Sequence, residues 1–182
     1  MARRSAASIL RWTDDGRLPL VVDATSCTHG LLGDVAPELD QALRERYERV
    51  RILDSIDWVH DRLLARLSIR PRLGRAALHP TCSVERLGLG EKLRAIAHAL
   101  AEDVRVPAGT TCCGMAGDRG LLHPELPRSA LRDVLAELAQ APVDAFLCSN
   151  RTCELGLQEV TGHRYESFVF ELERQTRSPL AA

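Results

Sequence analysis

VDAFLCSNRTCELGLQEVTG, residues 143–162, decides how the rest of the chain is read. Its first part, VDAFLCS, is an apolar run of strand length. Its second, RTCELGLQEVTG, reads as a short helix with Gly162 just past its end. A strand that runs directly into a helix is the unit from which layered α/β folds are built.

The same alternation extends in both directions. Upstream, LPLVVDA (18–24) is a β-branched strand, followed by SCTHGLL (26–32) as the opening of a helix. ELDQALRERYERV (38–50) has helical spacing, and VRIL (50–53) is a strand. DSIDWVHDRLLARL (54–67) carries a helical stripe at Ile56, Val59, Leu63, Leu64 and Leu67, with Asp54 or Ser55 as its cap. After the loop RPRLGR (70–75), AALHP (76–80) is a strand. GEKLRAIAHALAEDV (90–104) is a helix, and VRVP (104–107) a strand. PRSALRDVLAELAQA (127–141) reads as one helix, and YESFVFELERQTR (165–177) as a strand passing into a helix. The pattern predicts an α/β fold, a layered and largely parallel sheet with flanking helices. One echo runs through it: SCTHGL (26–31) and TCELGL (152–157) share Ser/Thr-Cys-x-x-Gly-Leu, and each follows an apolar run. It points to two related modules, the first one shortened.

The composition limits what such a fold can do. With 182 residues, 45% of them hydrophobic and 27% charged, the chain is an ordinary globular one. A net charge of -1 and 4% aromatics leave little with which to attract and stack nucleic acid, so no nucleic-acid partner is expected. No run reaches the roughly 20 apolar residues of a membrane span. The start, MARRSAASILRW, meets Asp14 and Asp15 too soon for a secretory signal and reads as an exposed amphipathic helix. The expected location is the cytoplasm, with the periphery of a membrane as its only other seat.

In a reducing compartment, clustered cysteines favour metal or catalysis over disulfides. Of the six cysteines, Cys82, Cys112, Cys113, Cys148 and Cys153 follow or end candidate strands. In a parallel sheet, the carboxyl ends of the strands share one edge, where ligands bind. Cys112 and Cys113 sit in TCCGMAGDRG (111–120), whose glycines Gly114, Gly117 and Gly120 are spaced three apart. Cys148, inside an apolar run, reads as a buried, inert thiol. The others suit zinc or an iron–sulfur cluster, but the chain lacks the paired C-x2-4-C knuckles of structural zinc sites. Glycines such as Gly114 and Gly117 let backbone approach a cluster and direct N–H groups at its sulfurs. His79, three residues before Cys82, is a candidate hydrogen-bond donor or ligand as well as a structural strand-end residue, and His29 stands likewise near Cys27. Asp118 and Arg119 are expected to form a loop salt bridge.

HPTC (79–82), CCGMAGDRG (112–120) and SNRTCELGL (149–157) together resemble the cysteine-rich CCG domain. That domain occurs in heterodisulfide reductase and in the iron–sulfur component of glycolate oxidase. It also forms the C-terminal part of FAD-linked D-lactate dehydrogenases of the cytochrome- or quinone-linked type, whose wording is nearest. The resemblance implies a complete module over 71–182 and a partial one, with connecting helices, over 1–70. It implies Cys82, Cys112, Cys113 and Cys153 as ligands of a 4Fe-4S cluster, with Cys27 as the last cysteine of the partial module. Asn150 stands where the reductase pattern has another cysteine. The implied function is an electron-transfer module that takes electrons from flavin and passes them to a quinone or cytochrome. No nucleotide fingerprint is present, so FAD and the oxidation of a 2-hydroxy acid would belong to another domain or subunit. The isolated chain is then not expected to be a catalyst. Two alternatives stand beside this: a metal-free or zinc-stabilised domain that docks a flavoprotein, and a thiol redox protein using Cys112 and Cys113. A shortened first module would also leave the 18–24 strand with an open edge, beside apolar Ile9, Leu10 and Trp12.

Overall fold

Six strands pair in parallel into two sheets in the computed structural model, which describes residues 1–70, 72–110, 112–139 and 142–177. The first part of the chain runs α1 (Ala2–Trp12), β1 (Leu20–Val22), α2 (Thr25–Gly33), α3 (Gln41–Tyr47), β2 (Ile52–Asp54) and α4 (Ser55–Trp58). Next come β3 (Leu73–Leu78), α5 (Cys82–Arg86), α6 (Gly90–Leu100) and β4 (Ala101–Arg105). The remainder is α7 (Arg119–Leu122), α8 (Glu125–Ala130), α9 (Arg132–Leu138), β5 (Ala145–Cys148), α10 (Arg151–Thr161), β6 (Tyr165–Ser167) and α11 (Phe168–Thr176). The layered α/β class expected from the alternation is the one observed.

The larger sheet has the order β4-β3-β5-β6 and the smaller is the pair β1-β2. Strands buried on both faces need apolar side chains in both directions, which is why β3 and β5 read as continuous apolar runs. One face of the large sheet carries Ala76, Leu78 and Leu147 against Leu93, Ile96 and Leu100 of α6 and Phe168 and Leu172 of α11. The other carries Ala77 and Tyr165 against Leu131, Val134, Leu138 and Leu157, and this second core also contains Cys113, Cys148 and Cys153. The cysteines therefore occupy one end of a packed core.

Three sequence expectations shift. The helix predicted to run to Val104 ends at Leu100, and β4 begins at once with Ala101. Parallel pairing of Leu73 with Ala101 and of Ala76 with Val104 draws that segment onto the sheet. The helix predicted over 127–141 is two helices broken at Leu131, which lies fully buried with Val134 and Leu138, and its last two residues fall outside the described ones. In the first helix, Leu10 is buried and Ile9 packs against Ala6, Leu39 and Tyr47, so only Trp12 stays exposed. Among the described residues β1 has one neighbour, β2, as an open-edged strand would. None of the described helices is long and apolar enough to cross a membrane.

The echo noted in the sequence extends to whole units. Cys27 is the third residue of α2 and Cys153 the third of α10. Val22 pairs with Asp54 at the end of β1-β2, and Cys148 pairs with Ser167 at the end of β5-β6. Asp54 and Ser167 then perform the same task, each accepting a bond from the second backbone N–H of the helix that follows, Ile56 at 2.9 Å and Val169 at 3.4 Å. The two units meet at their strand-to-helix turns. Thr25 Oγ1 donates to the carbonyl of Ser149 (3.2 Å) and to its Oγ (3.0 Å), and Ser26 Oγ donates to Asn150 Oδ1 (2.6 Å). Ser55 Oγ donates to Asp23 Oδ1 at 3.1 Å.

The two caps should not be equal. Ser167→Ala removes the capping bond and a long bond donated to Asp23 Oδ1 (3.5 Å), and is expected to cost about 1 kcal/mol. Asp54→Ala also removes the acceptor 2.6 Å from the buried Thr28 hydroxyl, leaving it only the Ala24 carbonyl at 3.4 Å, and should cost about 2–3 kcal/mol. Urea unfolding of both variants measures the difference, and equal costs would show that the Thr28 bond adds nothing.

Candidate functional site

Three chain segments deliver thiols to the carboxyl edge of the large sheet. β3 leads through His79-Pro80-Thr81 into Cys82, the first residue of α5. The loop after β4 brings Cys112 and Cys113, and β5 leads into α10, which carries Cys153 in its first turn. Thr81 caps α5 through the N–H of Val84, which sets where Cys82 emerges. Cys82 is thus the first residue of α5 and Cys153 the third of α10, both in first turns at the same edge of the sheet.

The four thiols form a chain of near contacts. Cys82 and Cys113 both lie close enough to Cys112 to perturb its thiol, and Cys113 Sγ is 2.9 Å from Cys153 Sγ. Cys113 and Cys153 are buried, Cys112 half-buried and Cys82 exposed, so the cluster of thiols opens outward at one end. The contact with Cys153 holds the Cys113 thiol down to about 7 against the opposing effect of burial, helped by the backbone N–H of Met115. The same contact pushes Cys153 up, because the proton shared by the pair resides there. Burial raises Cys112, opposed by the Gly114 N–H at 3.4 Å from its sulfur. Cys148 lies fully buried beneath, and desolvation pushes it up to about 12, the inert thiol expected of it. Cys27 is exposed on α2.

The glycine loop takes its shape from backbone that only glycine adopts freely. Gly114 and Gly117 have φ of +74° and +79°, and Ala116 between them has +45°. This turns successive amides inward around the sulfurs, as in an anion-binding nest. Met115 is wedged between two glycines of other elements: a Cβ on Gly120 would lie 2.6 Å from its sulfur, and one on Gly156 2.5 Å from its Cγ. The loop is keyed to α10 by that wedge. The salt bridge expected of Asp118 and Arg119 does not form among the described residues. Asp118 instead accepts from the N–H of Leu121 through its backbone carbonyl, and Arg119 opens α7.

Asn150 is the site residue whose task the sequence did not disclose. It precedes α10 as N-cap but makes no capping bond. Its Nδ2 instead donates to Cys153 Sγ at 3.3 Å, while its Oδ1 is held by Ser26 of the other unit. An amide here orients a thiol where a further cysteine would have supplied another. Only the pairing of the two turns, 124 residues apart in the chain, makes this visible.

His79 answers whether these residues suit an iron–sulfur group. The ring is 1% exposed, and neither nitrogen has a hydrogen-bond partner among the described residues. An imidazole buried without a partner is costly, and buried polar groups are nearly always paired. A group that brings several sulfur acceptors of its own would offer such a ring the partner it lacks. Among the described residues, no three or more His, Cys, Asp or Glu side chains are arranged to hold a metal ion. Compared with known proteins, the chain matches no family model and no curated protein.

Two measurements follow from this geometry. Gly114→Ala must place a Cβ at positive φ and 2.6 Å from the Pro127 backbone, whereas Gly117→Ala meets nothing within 4 Å. Gly117→Ala should cost about 1–2 kcal/mol, the left-handed penalty alone, and Gly114→Ala clearly more by urea unfolding. Burial lowers His79 from 6.5 to about 4. Between those values the unfolded chain binds a proton that the folded one refuses, so stability is full above pH 6.5 and falls as pH drops to 4, by on the order of 3 kcal/mol. His79→Gln in the metal-free chain should lose that slope, and an unchanged slope would place the titration elsewhere.

Proposed function

We propose that this chain is an electron-transfer module that holds an iron–sulfur cluster on Cys82, Cys112, Cys113 and Cys153. One observation carries the reading: four cysteines from three separated segments converge at the carboxyl edge of a parallel sheet. The resemblance to the CCG domain of FAD-linked D-lactate dehydrogenases supports it and supplies the context. Electrons would come from flavin in another domain or subunit and leave for a quinone or cytochrome.

When bound, the cluster supplies a one-electron centre whose potential depends on burial, net charge and hydrogen bonds to sulfur. The rest is the work of this chain's own residues. The amides of Gly114 and Met115 donate to the sulfurs of Cys112 and Cys113. Leu131, Val134, Leu138 and Leu157 close the inner side against water, while exposed Cys82 leaves an outer side to which a partner has access.

A second reading rests on the 2.9 Å between Cys113 Sγ and Cys153 Sγ. A thiol redox function would use this pair, rather than the adjacent Cys112 and Cys113. The two readings ask opposite things of the pair: ligands must part to serve separate irons, whereas redox thiols stay together.

Anaerobic reconstitution with iron and sulfide separates them. The cluster reading expects about four irons per chain, with broad visible absorption. Cys112→Ser and Cys153→Ser should lose the iron, while Cys148→Ser keeps it. A wild-type chain that stays colourless, yet forms a Cys113–Cys153 disulfide with glutathione disulfide, would replace the cluster reading with the thiol one.

A further inference from the structure

His79 is buried and unpartnered, but its position is well defined. Leu78 pairs in register with Leu147, and the peptide continues the ladder, His79 N donating to the Leu147 carbonyl at 2.9 Å. Side chains alternate across a strand. Leu78 and Leu147 face the core under α6, so His79 turns to the opposite face, that of Ala77. The next residue along the neighbouring strand, Cys148, lies on that face too, in one core with Cys113 and Cys153. Three residues after His79 the chain reaches Cys82. The side chain is thus on the sheet face that carries Cys148, at the edge where β3 leads into Cys82 and β5 towards Cys153.

We propose that His79 is the outer-sphere hydrogen-bond donor of the cysteine site, its ring N–H directed at a sulfur of the cluster rather than at iron. The proposal rests on the cluster reading above. A donor to sulfur draws electron density from the cluster, stabilises its reduced state and raises its potential. His79 is then a positioning and potential-setting residue, and the hydrogen bond its buried ring otherwise lacks is made on loading.

The test compares reconstituted wild type, His79→Leu and His79→Gln by iron content, visible spectrum and equilibrium redox titration. Iron per chain should be the same in all three. The midpoint potential of His79→Leu should fall by an amount equivalent to about a tenfold change in the reduced-to-oxidised ratio, about 59 mV for a one-electron couple. His79→Gln, which keeps an N–H donor, should recover part of that shift, which a merely space-filling role would not produce. Equal potentials in His79→Leu and wild type at equal iron would overturn the proposal. Loss of iron in both variants would overturn it too, by making His79 a ligand. Colourless wild type would defeat the cluster reading and this donor role with it, an outcome distinct from brown variants of unchanged potential. If His79→Leu fails to fold, the comparison of His79→Gln with wild type decides: no shift with an unchanged spectrum rejects the donor role.

Discussion

The in-register parallel pairing of β3 with β5 is the constraint on which the site depends. It matches Leu78 to Leu147 and so brings His79 level with Cys148 at the sheet edge. Because the strands are parallel, both chains leave that edge in the same direction and enter helices there, and Cys82 and Cys153 arrive in first turns without any long excursion. A slip of one residue would turn every side chain to the other face. With β3 slipped against a fixed β5, His79 would enter the core under α6 while Cys148 kept its face, and the two strand ends would no longer serve one surface. The stability of the core and the assembly of the site are one and the same register.

Much of this was legible in the sequence. Apolar runs of strand length, each followed by helical spacing, gave the layered α/β class, and the placement of cysteines after those runs indicated the edge where they gather. The burial of Cys148 followed from the apolar run that contains it. What escaped had physical causes. Residues 101–104 are compatible with either helix or strand, and only the ladder to Leu73 and Ala76 decides between them. The task of Asn150 was not legible, because its partners, Ser26 and Cys153, are chosen by the meeting of two turns far apart in the chain. Which pair of thiols touches was also beyond spacing: adjacency favours Cys112 with Cys113, but geometry sets Cys113 against Cys153.

The duplicated units differ where chemistry would require it. Both place a cysteine third in the helix after their first strand and end their second strand in a residue that caps the next helix. One of those cysteines is buried among other thiols and the other is exposed. The shared architecture is a scaffold that presents a thiol at a helix start. The neighbours supplied by β3 and the glycine loop are what make one copy a candidate site.

Met115 carries a consequence for how this protein can vary. Its side chain fills the space that a Cβ on either Gly120 or Gly156 would claim, so three positions from three elements share a single volume. Changes at such positions do not add. Shortening Met115 would open room for an alanine at Gly156, and neither change alone would report the effect of both. The set behaves as one variable. A stepwise reshaping of the cysteine loop therefore has to begin at Met115, since a side chain added first at either glycine is blocked by contact.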